Sequence, residues 1–262
     1  MKIDYRIADV APYINWIYYF HAWEVADKGE QQRLRTDAEQ WLRRLDGKYR
    51  THALFELYDA NSDGDDILLG TTRLPMLRQQ HRREGEPCLC LADFVMPLAC
   101  GRKDRVGVFA ATVDVGMEKD FDGDDYEKML VQLLADRLAE ATAEKLHEQV
   151  RRTYWGYAPD EHLTIEEQHQ ERFQGIRPAV GYPSLPDASI NFLLSDLLGM
   201  KQIGIRLTES GAMKPHASVS GLMIAHPAAR YFAVGAVGDD QLRDYANRRG
   251  LPLSLMRRFV GA

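Results

Sequence analysis

The sequence predicts an α+β fold: a mainly antiparallel twisted sheet with flanking helices, in a single domain over residues 1–262. Strand-like and helix-like segments are both present, yet they do not follow the regular βαβ order that a parallel sheet requires. The last third concentrates short apolar alternations, at 203–209, 218–225 and 230–237. Composition is that of an ordinary globular chain, with 45% apolar and 27% charged residues, enough to bury a core without staples.

The elements follow in order. Tyr13, Trp16, Tyr18, Tyr19, Phe20 and Trp23 form a dense aromatic opening, and Pro12 just before it suits a helix start. Residues 30–45 place Leu34, Ala38, Trp41, Leu42 and Leu45 at helical spacing, opposite Arg33, Arg35, Asp37 and Glu39. Residues 53–58 read as a strand, Asp59–Asp66 as a loop and Ile67–Leu69 as a second strand. A third fits 105–113, where Val106, Val108 and Ala110 alternate with their neighbours. A long helix fits 124–151, striped by Leu130, Leu134, Leu138 and Leu146 with Ala141 and Thr142 between the last two. Asp124 and Asp125 suit its positive end, Arg151 and Arg152 its negative end. Asp239 caps a helix that Gly250 ends, and Ser254 starts one short final turn. Residues 152–190, rich in proline and aromatics, are too long for an idle connection, and long irregular segments are often functional.

The formal net charge of −6 lacks the basic footprint of a general nucleic-acid binder. No apolar run approaches the roughly 20 residues of a membrane span. The opening MKIDYRIADV is interrupted by Asp4 and Asp9 and has no hydrophobic signal core. Cys88, Cys90 and Cys100 read as ordinary buried thiols, kept reduced in the cytoplasm. We therefore expect a cytoplasmic chain with neither nucleic-acid nor membrane partners.

Several motifs fail on inspection. Asp59–Asp66 begins like a calcium loop, but Gly70 stands where the bidentate Glu belongs, so a polar hairpin turn is expected. His147-Glu148 lacks the second His of a zincin helix and reads as a solvated helical pair. Gly235 to Gly238 lacks the third glycine of a dinucleotide loop.

The segment from Gln174 to Pro183 carries more information. Pro178 and Pro183 stiffen it, while Gly175 and Gly181 permit sharp turns. A stiff loop presents Arg177 and Tyr182 with little entropy left to lose on binding. Arg177 offers a planar fork for a carboxylate, and Tyr182 a flat face and hydroxyl for a purine or ribose. A structural loop with Arg177 paired to a nearby acid accounts for the same residues equally well.

The stretch resembles the S-adenosylmethionine-binding activation domain of cobalamin-dependent methionine synthase. The resemblance runs in family order through Tyr13-Ile-Asn-Trp16, Leu91-Ala-Asp-Phe-Val95, Leu134-Ala-Asp-Arg-Leu-Ala-Glu140 and Tyr154-Trp-Gly-Tyr-Ala-Pro159. It continues through Gly175-Ile-Arg-Pro-Ala179, Gly181-Tyr-Pro183, Leu207-Thr-Glu-Ser210, Ala217-Ser-Val-Ser-Gly221 and Tyr231-Phe-Ala-Val234. It implies that Arg177 holds the ligand's methionyl carboxylate and that Ala179 offers backbone contacts to the adenosyl part. It implies that Tyr231 and Phe232 form the aromatic pair at the ligand, with Tyr182 in the same loop. Glu140 and Glu171 match acids near the ligand's cationic end. Asn15 stands where the family has the acid that meets the ligand's ammonium. Further departures are Ala188 after Asp187, Lys214 and His216, at positions expected to face the ligand or the corrinoid.

The resemblance implies a module, here expected to stand alone, that binds S-adenosylmethionine and supports reductive methylation of cob(II)alamin in methionine biosynthesis. Cobalamin would be held by the cobalamin-binding module of a separate methionine synthase, because no D-x-H-x-x-G string occurs in this chain. A flavodoxin-like donor would supply one electron. The chain would be a monomer, with no catalytic acid or nucleophile of its own and not catalytically complete alone. A protein that senses S-adenosylmethionine or a relative, or a docking protein with an altered or lost ligand site, is the alternative.

Overall fold

A computed structural model describes residues 1–81, 85–121 and 123–261. The strands are β1 (Lys2–Arg6), β2 (Arg50–Asp63), β3 (Asp66–Leu69), β4 (Thr72–Pro75), β5 (Asp104–Val113), β6 (Arg206–Leu207), β7 (Met213–Lys214) and β8 (Ser218–Met223). The helices are α1 (Ile7–Val10), α2 (Trp16–Ala22), α3 (Lys28–Leu45), α4 (Gly116–Lys119), α5 (Asp125–Gln149), α6 (Ile165–His169), α7 (Ile190–Leu198), α8 (Asp239–Arg249) and α9 (Leu253–Val260). The expected mixture of helices and antiparallel sheet is present. The main sheet runs β4-β3-β2-β5-β8, and β1 pairs with the N-terminal half of β2. Its ladders are antiparallel.

The sheet is buried on both faces, so its strands are apolar on both sides. In β5, Phe109, Ala111 and Val113 face one core with α1, α3 and α5. Val106, Val108 and Ala110 face the other, which α7 and the 89–95 segment close. β2 and β8 divide their side chains in the same way, Phe55 and Val219 to the first core, Leu54 and Leu222 to the second. The expected leucine stripe of α5 is fully buried. Asp124 caps this helix by accepting from the Tyr126 and Glu127 amides. A smaller cluster joins α8 and α9 to Leu77 and Val234.

Several expectations are corrected. Pro12 lies in a 3-10 turn, and the aromatic helix starts later, at Trp16, with Asn15 as its cap. The loop expected over Asp59–Asp66 is strand except for the turn at Gly64 and Asp65. Its acids are satisfied in place, Asp59 by Lys103 and Asp63 and Asp66 by Arg73. The strand expected at 203–209 shrinks to Arg206–Leu207, and 230–237 forms no strand at all. Two of its amides bond single groups instead, Val234 N–H the Pro183 carbonyl and Phe232 N–H the Ser184 hydroxyl. Gly238, not Asp239, is the cap of α8, and the final turn is the eight-residue helix α9. Of the cysteines only Cys90 is buried; Cys88 is half-buried, Cys100 exposed, and all three are free. Among the described residues, no helix is long and apolar enough to cross a membrane.

Because β2 and β5 feed both large cores, we propose that the chain unfolds as one unit. Tryptophan fluorescence and far-UV circular dichroism should give coincident urea transitions. Two separate transitions, or two stable halves after limited proteolysis, would count against it.

Candidate ligand cavity

The cavity begins at the free edge of β8. Residues 176–180 lie along this edge as an irregular extra strand. Ile176 and Ile224 exchange both backbone hydrogen bonds, at 2.9 and 3.0 Å. Leu222 N–H donates to the Pro178 carbonyl at 3.0 Å and Val180 N–H to the Ser220 carbonyl at 2.9 Å. Pro178 accepts but cannot donate, which leaves the ladder one bond short. The approach depends on Gly221, where a Cβ would stand 2.1 Å from the Pro178 carbonyl oxygen. At the entry to this strand, Gly175 has φ +84°, and a Cβ there would stand 2.4 Å from the Ile224 carbonyl oxygen.

This ladder carries Arg177 into the protein, where it is 8% exposed. Its guanidinium lies 5.6 Å from the centre of the Phe109 ring. Nη2 donates to Glu144 Oε1 at 2.5 Å, and Nε has no partner. Burial works against its charge; Glu144 and other nearby groups outweigh that, and its pKa stands above the ordinary value. The Arg177 backbone N–H donates to the Tyr231 hydroxyl at 2.9 Å. Ser184 bonds both the N–H and the carbonyl of Phe232. The two loops therefore hold each other. Tyr182 donates its hydroxyl to Glu140 Oε1 at 2.8 Å. Burial, reinforced by Glu140, raises the Tyr182 pKa.

A cavity of about 510 Å³ opens between these loops, α2 and α5. Asn15, Glu140, Glu171, Arg177, Ala179, Tyr182, Tyr231 and Phe232 all line it. The structure thus brings together these eight residues that the family resemblance singled out. Their local roles differ. Asn15 Oδ1 accepts the Ile17 N–H at 3.2 Å and caps α2. Glu171 follows α6 in the left-handed region, at φ 57°. Burial raises its pKa and the like charge of Glu144 adds to this, while Arg177 opposes.

Sequence reasoning missed Glu144, Phe173, His169 and Arg137, which also line the cavity. The signal for Glu144 was present: it lies one turn from Glu140 on the same helix face. His147, expected to be solvated, is fully buried against Phe173, with ring centroids 4.8 Å apart. Burial, then Arg151 and Arg177, holds its pKa well below the ordinary value. Arg151 is no surface partner of a helix end either. It is fully buried, pairs with Glu161 at 2.7 Å and stacks its guanidinium 4.2 Å from the Phe173 ring centre.

Three departures noted in the sequence lie elsewhere. Asp187, just before Ala188, turns into the interior and accepts the Tyr245 hydroxyl at 2.7 Å. Lys214 and His216 are exposed, and the His216 amide bonds Glu118. None of these three lines the cavity.

Fold and site together define an α+β domain whose acid-rich cavity lies between its longest helix and an annealed sheet-edge loop. The chain belongs to the vitamin B12-dependent methionine synthase activation-domain family, whose model matches residues 6–250. It is also similar to a solved structure described as the MetH reactivation domain bound to AdoHcy. The two share 38% identity at a TM-score of 0.95, over 100% of this chain and 89% of the other.

Gly221→Ala should destabilise the protein by roughly 2 kcal/mol or more, because backbone rather than a flexible side chain must yield. Gly123→Ala meets nothing within 4 Å and should stay within about 0.5 kcal/mol of the native protein. Urea midpoints compare the two, and equal midpoints would show that the edge is not closely held.

Proposed function

We propose that the chain binds S-adenosylmethionine in this cavity and supports reductive methylation of cob(II)alamin on a cobalamin-binding module, in methionine biosynthesis. The observation that carries the reading is the convergence of Arg177, three glutamates and the rings of Tyr182, Tyr231 and Phe232 on one cavity in a chain of this family. The chemistry of the wall fits the ligand. Arg137 and Arg177 stand against Glu140, Glu144 and Glu171, a net negative lining for a ligand with one carboxylate, one ammonium and one sulfonium. AdoHcy in the similar structure is the same molecule without its methyl group.

In this reading the Arg177 fork holds the carboxylate. Tyr182, Tyr231 and Phe232 give flat faces to the adenosyl part, beside the Ala179 backbone. Glu140 and Glu171 favour the cationic end, and Asn15 stands at its rim. Cobalamin, held by the partner module, would be the methyl acceptor, and a flavodoxin-like donor would supply the one electron that cob(II)alamin needs to take it. This chain supplies position and electrostatics, with no acid, base or nucleophile. We further propose that it acts as a monomer in the cytoplasm, where free cysteines persist.

Asn15 gives a second reading its footing. Its side chain caps a helix and carries no charge, as expected if the chain senses a different ligand or only docks. Titration calorimetry with S-adenosylmethionine separates the two, since a lost site gives no heat of binding.

Arg177→Ala should weaken S-adenosylmethionine by on the order of 2–5 kcal/mol, the cost of leaving a buried charge unpaired. Arg177→Lys should recover only part, because a point charge does not reproduce the fork. Circular dichroism checks that both variants fold. Equal affinity of the native protein and the alanine variant would remove Arg177 from the site.

A further inference from the structure

The cavity wall contains one carboxylate whose bonding is half complete, and the family resemblance gives it no part. Glu144 Oε1 lies 2.5 Å from Arg177 Nη2. Its Oε2 is buried without a hydrogen-bond partner. A carboxylate can accept about four hydrogen bonds, and a buried unmatched acceptor in a native fold calls for a reason. The position of Glu144 on the cavity wall supplies one.

The covalent structure of an amino acid narrows the choice of donor. Its α-carboxylate and α-ammonium share one carbon. A ligand whose carboxylate takes the Arg177 fork therefore brings its ammonium beside the acid that already touches that fork, and that acid is Glu144. The other candidates do not touch that fork. Glu140 Oε1 accepts the Tyr182 hydroxyl instead. Asn15 is neutral, and its Oδ1 is spent on the Ile17 amide. Glu171 belongs to a different segment, beyond α6.

Resting on the reading of this cavity as an S-adenosylmethionine site, we propose that Glu144 accepts the ligand's α-ammonium. It thereby takes the part that an acid at position 15 would play. On binding, the Glu144 side chain turns so that its unmatched oxygen, closed to solvent in this structure, meets the ammonium, and Glu144 then stands between two cations, that ammonium and Arg177. No covalent bond forms or breaks.

Calorimetric titration of the full chain with S-adenosylmethionine and with its deaminated analogue tests this. Glu144→Gln keeps the shape and a neutral acceptor. It should weaken S-adenosylmethionine roughly tenfold, the difference between a charge-assisted and a neutral hydrogen bond. The deaminated analogue should weaken far less, since it loses only the support that Glu144 gives Arg177. Adding Asn15→Asp to that variant should restore part of the loss for the amino-bearing ligand only, and Asp serves equally well as a helix cap. Glu144→Asp keeps the charge and retracts it, and should give a smaller loss with the same selectivity for the amine. It stands in if the Gln variant does not fold by circular dichroism. Equal weakening of both ligands would make Glu144 a mere support for Arg177 and overturn the proposal, as would unchanged affinity for S-adenosylmethionine. A native chain that binds neither ligand overturns the reading of the cavity as well. Native binding with unaffected variants overturns the role of Glu144 alone.

Discussion

The cavity depends on one backbone contact, the annealing of residues 176–180 onto the free edge of β8 across Gly221. A residue with a side chain at 221 would push the Pro178 carbonyl away. Arg177 would then lose its place over Phe109 and beside Glu144. Pro178 and Pro183 limit what the loop can do instead, since each fixes its own φ. The sheet therefore does more than build a core. It carries one long, flexible cation to a depth where desolvation would be prohibitive without a matched acid. It also presents the Arg177 amide to the Tyr231 hydroxyl, which ties a second loop to the same edge.

The other wall rests on α5. Glu140, Glu144, His147 and Arg151 are spaced four, three and four apart and follow one side of the helix and of the wide turn after it. The first two reach the cavity, and the last two hold what surrounds it. Arg151 and Glu161 form an ion pair out of water, joined by Gln168 at 3.4 Å. Removing one partner of such a pair costs far more than the pair itself contributes. This pair closes the excursion after α5 and returns the chain toward the cavity at Gln168, His169 and Phe173. Tyr13 donates to Glu148 at 2.5 Å, and its carbonyl lies 3.0 Å from His169 Nε2. The N-terminal segment is fastened to the same helix.

The legible parts of the sequence were those governed by local chemistry. The leucine stripe of α5, the alternation of β5 and the glycine end of α8 follow from periodicity and caps, and the structure has them. The stiff loop at Gln174–Pro183 announced itself through its prolines and glycines. Of the two readings of Arg177, the structure shows the pairing with an acid, Glu144; the ligand fork belongs to the proposed function. What stayed hidden needed distant partners. Asp59 to Asp63 read as a loop until Lys103 and Arg73 supplied charges across strands. Residues 230–237 have the composition of a strand, but no neighbour offers a continuous row of hydrogen bonds. His147 sits beside exposed-looking neighbours in sequence, and only the returning 152–173 segment buries it.

The balance of charge around the cavity bears on how a reactivation step could turn over. On the proposed reading, the ligand enters with a net charge of +1 and leaves, after losing its methyl group, with a net charge of zero. The ammonium and carboxylate are unchanged by this, so Arg177 and its acid partner hold substrate and product alike. Only the sulfonium is lost. A unit charge about 5 Å from a carboxylate is worth roughly 3 kcal/mol at an effective dielectric constant near 20, and less where water enters. On that reading the acids not committed to the amino-acid end, Glu140 and Glu171, would distinguish the methyl donor from its product. Burial raises the Glu171 pKa, and a nearby sulfonium would lower it again. A wall that grips the invariant end firmly and the changing end electrostatically holds the donor and releases the product, with no moving lid required.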